Sequence, residues 1–79
     1  MARVLLFGRL SDVAGWRSRD IASDTLTALR DLLCGEDVHL AEALRAPGVQ
    51  VALDQAIVRG DAALSPRSEV AFLPPMSGG

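Results

Sequence analysis

Apolar and polar positions change rhythm along this chain, and each rhythm predicts a different element. A short apolar run from Ala2 to Phe7, stopped by Gly8, predicts a β-strand. Its period of two sets Leu5 and Phe7 on one face and Val4 and Leu6 on the other. Arg9 to Trp16 predicts a polar connection with one helical turn at most, ended by Gly15. Arg17 to Ala22 alternates weakly and is highly charged, the pattern of an edge strand that discourages pairing with other molecules. The period then lengthens. Leu26, Leu29, Leu32 and Leu33 recur at helical spacing behind three successive N-cap candidates, Ser23, Asp24 and Thr25. Gly35 is expected to end this helix as a left-handed cap. Asp37 heads a shorter helix through Val38–Arg45, with Leu40 and Leu44 inward, broken by Pro47-Gly48.

The last third returns to strand patterning. Val49–Leu53 and Ala56–Val58 flank Asp54-Gln55, a two-residue hairpin turn that lacks the usual glycine. Ser65-Pro66-Arg67-Ser68 is turn chemistry, and Glu69–Leu73 forms a final strand with Val70 and Phe72 opposite Ala71 and Leu73. The order β-β-α-(α)-β-β-β predicts an α+β domain over residues 1–73, followed by an extended, flexible tail, 74–79. One main helix and a short second one would pack across a mixed sheet of four to five strands, with right-handed crossovers between parallel strands. This is the β-grasp (ubiquitin-like) arrangement. In it the first and last strands lie together at the centre, so the tail leaves from a buried, well-anchored strand.

Composition narrows the function classes. Seventy-nine residues make one domain, and 49% apolar with 23% charged residues fits a globular chain. No apolar run approaches the ~20 residues of a membrane span, and Val4–Phe7 is too short for a signal-peptide core. Cys34 has no partner for an internal disulfide, so a reducing, cytoplasmic setting is expected. The net charge of −2 and the scattering of eight basic residues, all arginine, argue against nucleic acid. His39 is the only histidine and reads as a solvated residue near a helix start. Cys34 lies at a helix C-terminus, away from the helix N-termini and cations that activate a thiol, and reads as a small buried or half-buried apolar group. Metal-ligand spacing is absent, so no metal site is expected. Gly8 and Gly15 do not form a phosphate-binding loop.

The remaining candidate is the end of the chain, Leu73-Pro74-Pro75-Met76-Ser77-Gly78-Gly79. Ser-Gly-Gly fits a frayed terminus or leftover linker; it equally fits a slim arm whose terminal carboxylate is the working group. Pro74 and Pro75 favour an extended spacer, and the arm from Pro74 to Gly79 spans about 20 Å. A carboxylate is a poor acyl donor until adenylation supplies a leaving group. A persulfide can then convert the acyl adenylate into a C-terminal thiocarboxylate, an ionised sulfur nucleophile. Glycine leaves the carbonyl open at each step. With no lysine in the chain, an activated terminus could not be captured by a lysine of its own.

The ending Phe72-Leu73-Pro74-Pro75-Met76-Ser77-Gly78-Gly79 resembles that of the MoaD-type sulfur carriers, the small subunits of molybdopterin synthase. The similarity extends along the chain through Val4–Leu10, Thr25–Arg30, Val51–Gln55 and Ser68–Phe72. It departs at Arg67-Ser68, where the family often has Gly-Asp, at Asp54, where it has Asn, and at Leu73, where a second aromatic is common. The resemblance implies a β-grasp fold and a non-catalytic, sulfur-carrying subunit with no bound cofactor. An E1-like enzyme would consume ATP to adenylate Gly79, and a desulfurase- or rhodanese-type donor would supply sulfur. The tail, with Gly78 giving clearance, would enter the large synthase subunit, whose pocket would turn cyclic pyranopterin monophosphate into the molybdopterin dithiolene. Two small and two large subunits would assemble. Phe7, Ile57 and Leu73 match the family's apolar partner contact, and Met76 is expected to join it; the alternative for the sheet residues is ordinary half-burial. Sulfur carriage for thiamine or cysteine synthesis, or ubiquitin-like protein modification, are the rival functions.

Overall fold

The structure, a computed structural model, describes residues 1–75. Its elements are β1 (Ala2–Leu6), α1 (Arg9–Ala14), β2 (Ser18–Ile21), α2 (Leu26–Glu36), α3 (Val38–Leu44), β3 (Gln50–Leu53), β4 (Ala56–Val58) and β5 (Glu69–Leu73). The strands form one mixed sheet in the order β2-β1-β5-β3-β4. β1 and β5 run parallel at its centre, Val4 opposite Val70 and Leu6 opposite Phe72, while the other pairings are antiparallel. This is the expected α+β β-grasp fold, with five strands.

Strand alternation sends Val4, Leu6, Val51, Val70 and Phe72 to one face of the sheet. There they pack with Leu26, Leu29 and Leu33 of α2, Leu40 and Leu44 of α3, and Leu10 of α1. Leu10 explains the first departure from expectation. The 9–16 connection holds a six-residue helix, α1, because burying Leu10 fixes the segment against the core. Gly15 ends α1 in the left-handed region, as its position in the sequence predicts.

A second departure concerns Gly35. It does not adopt positive φ; α2 continues through it to Glu36. The stop falls two residues later because Asp37, the residue after Glu36, is claimed by the next helix. Extended at φ −146°, Asp37 accepts hydrogen bonds on Oδ1 from the backbone N–H of His39 (2.9 Å) and Leu40 (3.2 Å), capping α3. At the other end of α2, Thr25 is the N-cap among the three candidates, its Oγ1 accepting from the Ala28 N–H. The 61–62 loop satisfies two further orphan donors: Leu26 N–H donates to the Ala62 carbonyl and Thr27 N–H to Asp61 Oδ1.

The hairpin turn works without glycine. Asp54 and Gln55 both take positive φ, 50° and 71°, as a type I′ turn requires. Asp54 repays that strain by gripping the start of β5: its N–H donates to the Glu69 carbonyl (2.8 Å) and its Oδ1 accepts from the Glu69 N–H (2.9 Å). At the opposite edge, Arg19 of β2 donates both guanidinium arms to Glu36 at 2.7 and 3.2 Å and lies 5.0 Å from the Trp16 ring centre. The clasp joins the edge strand to the end of α2, although its exposure keeps its stabilisation small.

Two kinds of measurement check these assignments. Leu29→Ala should cost about 2–5 kcal/mol in urea unfolding, as expected for a fully buried leucine. Gln55→Gly should raise stability by about 0.5–1 kcal/mol, relieving left-handed strain in excess of glycine's entropy cost. The Asp61 carboxyl is held below its ordinary pKa by the Thr27 and Ala62 N–H groups, and that of Glu36 by Arg19. Each therefore stabilises the fold at neutral pH, and that contribution should fade below about pH 4 as the carboxylates protonate. Asp61→Asn should flatten the acid limb of a urea-midpoint versus pH curve.

Candidate functional site

The face of the sheet opposite the helices carries the apolar residues singled out in the sequence. Register places Leu5, Ala71, Ala52 and Ile57 in one row across β1, β5, β3 and β4. One step toward the C-terminal end of β5, Phe7 follows Leu5 and Leu73 follows Ala71 on the same face, and Phe7 N–H still donates to the Phe72 carbonyl. Phe7 and Ile57 are 46% and 49% exposed, Leu5 and Leu73 half-buried, and the two alanines buried. The arrangement is a low alanine floor between two apolar rims, Phe7 with Leu73 on one side and Ile57 on the other. The buried leucines of the three helices all join the opposite layer. An indentation of about 450 Å³ beside Phe7, lined also by Leu5, Asp12 and Arg17, extends the surface toward α1.

The same edge of the molecule releases the tail. β5 is held by β1 on one side and β3 on the other, with Leu73 paired to Gln50 as its last rung. Pro74 and Pro75 follow at once. Pro74 lies against Gly8, in the loop after β1, and Pro75 against Gly48, in the loop before β3. A cleft of about 350 Å³ opens beside them, between α1 and α3, and includes Arg9, Leu10, Val13, His39 and Glu42. Met76, Gly78 and Gly79, expected as a contact residue, the clearance residue and the reacting terminus, lie outside the described residues.

The structure thus brings Phe7, Leu73 and Ile57 to one face and sets that face beside the arm root, Pro74-Pro75. His39 is exposed, as its sequence position suggests, but it also lines the arm-root cleft. Cys34 is half-buried on α2. Gly8 and Gly48 read in the sequence only as element breaks. Their contacts with the prolines could not be found there, because each joins positions far apart in the chain. Among the described residues, no group of His, Cys, Asp and Glu is placed to hold a metal ion, and no helix is long and apolar enough to cross a membrane.

The sequence profile of the ThiS family matches residues 4–79, nearly the whole chain. This chain belongs to the ThiS family. The molybdopterin synthase sulfur carrier subunit of Escherichia coli (strain K12) is 33% identical, with 100% of both chains covered, which bears out the resemblance to MoaD-type carriers. Among solved structures, SAMP1 from Haloferax volcanii superposes with a TM-score of 0.78 at 26% identity, covering 99% of this chain and 98% of that one. The small archaeal modifier protein 1 (SAMP1) from Methanosarcina acetivorans has a TM-score of 0.87 at 18% identity over 99% and 95% of the two chains; it speaks for the ubiquitin-like fold alone.

In this ThiS-family chain the open face should contribute little to folding. Ile57 is exposed on the edge strand β4, so Ile57→Glu should change stability by no more than about 0.5 kcal/mol in urea unfolding. A much larger loss would mean that the face is part of the core.

Proposed function

We propose that this chain is the sulfur-carrier subunit of molybdopterin synthase, a cytoplasmic protein that carries sulfur on its C-terminus and has no catalytic pocket of its own. The observation that carries this reading is the position of the arm. A strand anchored on both sides runs directly into two prolines, beside an unpartnered apolar sheet face. A rigid base, a stiff spacer and an adjoining docking surface are what a carrier needs to present one terminal group to successive partners. The full-length similarity to the E. coli carrier supports it.

In this reading Gly79 is the reacting residue. Its carboxylate attacks the α-phosphate of ATP on an E1-like enzyme, releasing pyrophosphate and forming the acyl adenylate. The outer sulfur of a persulfide, supplied by a desulfurase- or rhodanese-type donor, displaces AMP. A second thiol then takes the donor's inner sulfur as a disulfide, leaving the thiocarboxylate on Gly79. Gly78 and Gly79 pass through a narrow channel into the large subunit, where the sulfur is delivered to cyclic pyranopterin monophosphate. Two sulfurs make one dithiolene, so two loaded carriers serve each pterin, in a heterotetramer of two small and two large subunits. Phe7, Ile57, Leu73 and Met76 form the apolar contact with the large subunit.

A second reading is favoured by one comparison. The Haloferax volcanii relative is a small archaeal modifier protein, and a modifier shares the adenylation step but passes its acyl group to an amine. The two readings part after activation.

Intact mass after incubation with ATP, the activating enzyme and a sulfur source should show oxygen replaced by sulfur at Gly79. No such gain would overturn the sulfur-carrier reading. The chain should restore molybdopterin synthesis in a strain lacking the small subunit, and deletion of Gly79 should abolish that rescue. Rescue of thiamine auxotrophy instead would assign it to the other pathway, and covalent attachment to many cellular proteins would favour the modifier. Ile57→Glu should weaken large-subunit binding about 10- to 30-fold, the effect of losing one apolar anchor.

A further inference from the structure

Five glycines fall among the described residues, and only two of them meet anything where a side chain would stand. A Cβ on Gly8 would come 3.1 Å from Pro74 Cγ; one on Gly48 would come 3.1 Å from Pro75 Cβ and 3.5 Å from its Cα. Gly15, Gly35 and Gly60 have nothing within 4 Å. Gly15 and Gly60 nevertheless share the positive φ of Gly48, at 83°, 82° and 89°. Turn geometry alone therefore accounts for Gly15 and Gly60, whereas Gly48 meets a second requirement, room for a proline ring.

The two close approaches come from opposite sides of the arm. Gly8 follows β1 and Gly48 precedes β3, and these strands flank β5 on either side. The arm therefore leaves the last rung of β5, Leu73 with Gln50, and crosses two bare stretches of backbone in succession. Each proline has its own φ fixed by its ring, which removes most of the freedom that remains. We propose that Gly8 and Gly48 form a saddle that seats Pro74 and Pro75 and so sets the direction in which the reactive terminus leaves the domain, making Gly48 a positioning residue for chemistry at Gly79. The functional half of this rests on the sulfur-carrier reading. The saddle extends the rigid part of the carrier two residues beyond the sheet, through Pro74 and Pro75. The sheet face that docks the partner is untouched by it.

The test compares Gly48→Ala with Gly60→Ala. Both place a Cβ on a residue at nearly the same positive φ, so both bear left-handed backbone strain, and only Gly48→Ala presses on the arm. In single-turnover adenylation with the E1-like enzyme and ATP, Gly48→Ala should lower the saturating rate about 10- to 100-fold, the effect of misplacing a reacting group by roughly an ångström. Its half-saturating enzyme concentration should stay that of the wild type, and Gly60→Ala should match the wild type in both. Equal saturating rates for the two variants would overturn the positioning role. So would a Gly48→Ala defect confined to half-saturation, since that would place the damage in docking. A proton NOE between Gly48 Hα and the Pro75 ring in the unmodified protein gives a readout independent of activity and of any variant's folding. Its presence supports the saddle and its absence overturns it. A wild-type chain that is never adenylated would overturn the carrier reading and the positioning role together, while the NOE still decides the seating of the arm.

Discussion

Parallel pairing of β1 with β5 is the constraint on which the rest of the structure depends. It joins the two ends of the domain, Arg3 beside Glu69 and Leu6 beside Phe72, and closing that contact across nearly the whole chain is entropically costly. The return is a central pair of strands whose inward residues, Val4, Leu6, Val70 and Phe72, are almost completely buried. The helices have a place to pack only because this pair exists. Its parallel direction also requires a crossover, which the β2–α2–α3–β3–β4 segment supplies.

The same pairing makes one end of the sheet suitable for presenting a terminus. β5 is the last element, yet it lies in the interior of the sheet with partners on both sides. A chain leaving an edge strand would carry the strand's fraying with it. Here the backbone is held by hydrogen bonds through Leu73, and the prolines begin in the next position. The outer sheet face is fixed by the same register: Leu5, Ala71, Ala52 and Ile57 align because the central strands are paired as they are. Stability and presentation of the arm thus have a common origin.

Much of this was legible in the residues. The period-two runs and the leucine stripe of α2 are local patterns, and each led to the correct element. The two departures have separate causes. Gly35 looks like a helix end when its neighbours are considered alone, but Asp37 is engaged by α3, and that capping sets the boundary. The 9–14 segment is short, and one buried leucine with Val13 and Ala14 half-buried behind it is too brief a periodic signal to announce α1. Strand parity was sufficient to set Phe7 on the face opposite Leu6 and Leu73 on the face opposite Phe72, and nothing local could reveal that Ile57, two strands beyond Leu73, shares their surface.

By itself the sequence determined the element types, the alternation that separates core from outer face, and the proline pair that follows the last strand. These depend on spacing and residue type within a few positions. Only the tertiary structure decided that Gly8 and Gly48 sit under consecutive prolines, that Asp54 anchors the start of β5, and that the cleft containing Arg9 and His39 opens beside the arm. Each of these brings together residues distant in the chain. Such proximity follows from strand order and register, which arise from packing the whole core and have no signature in any local stretch.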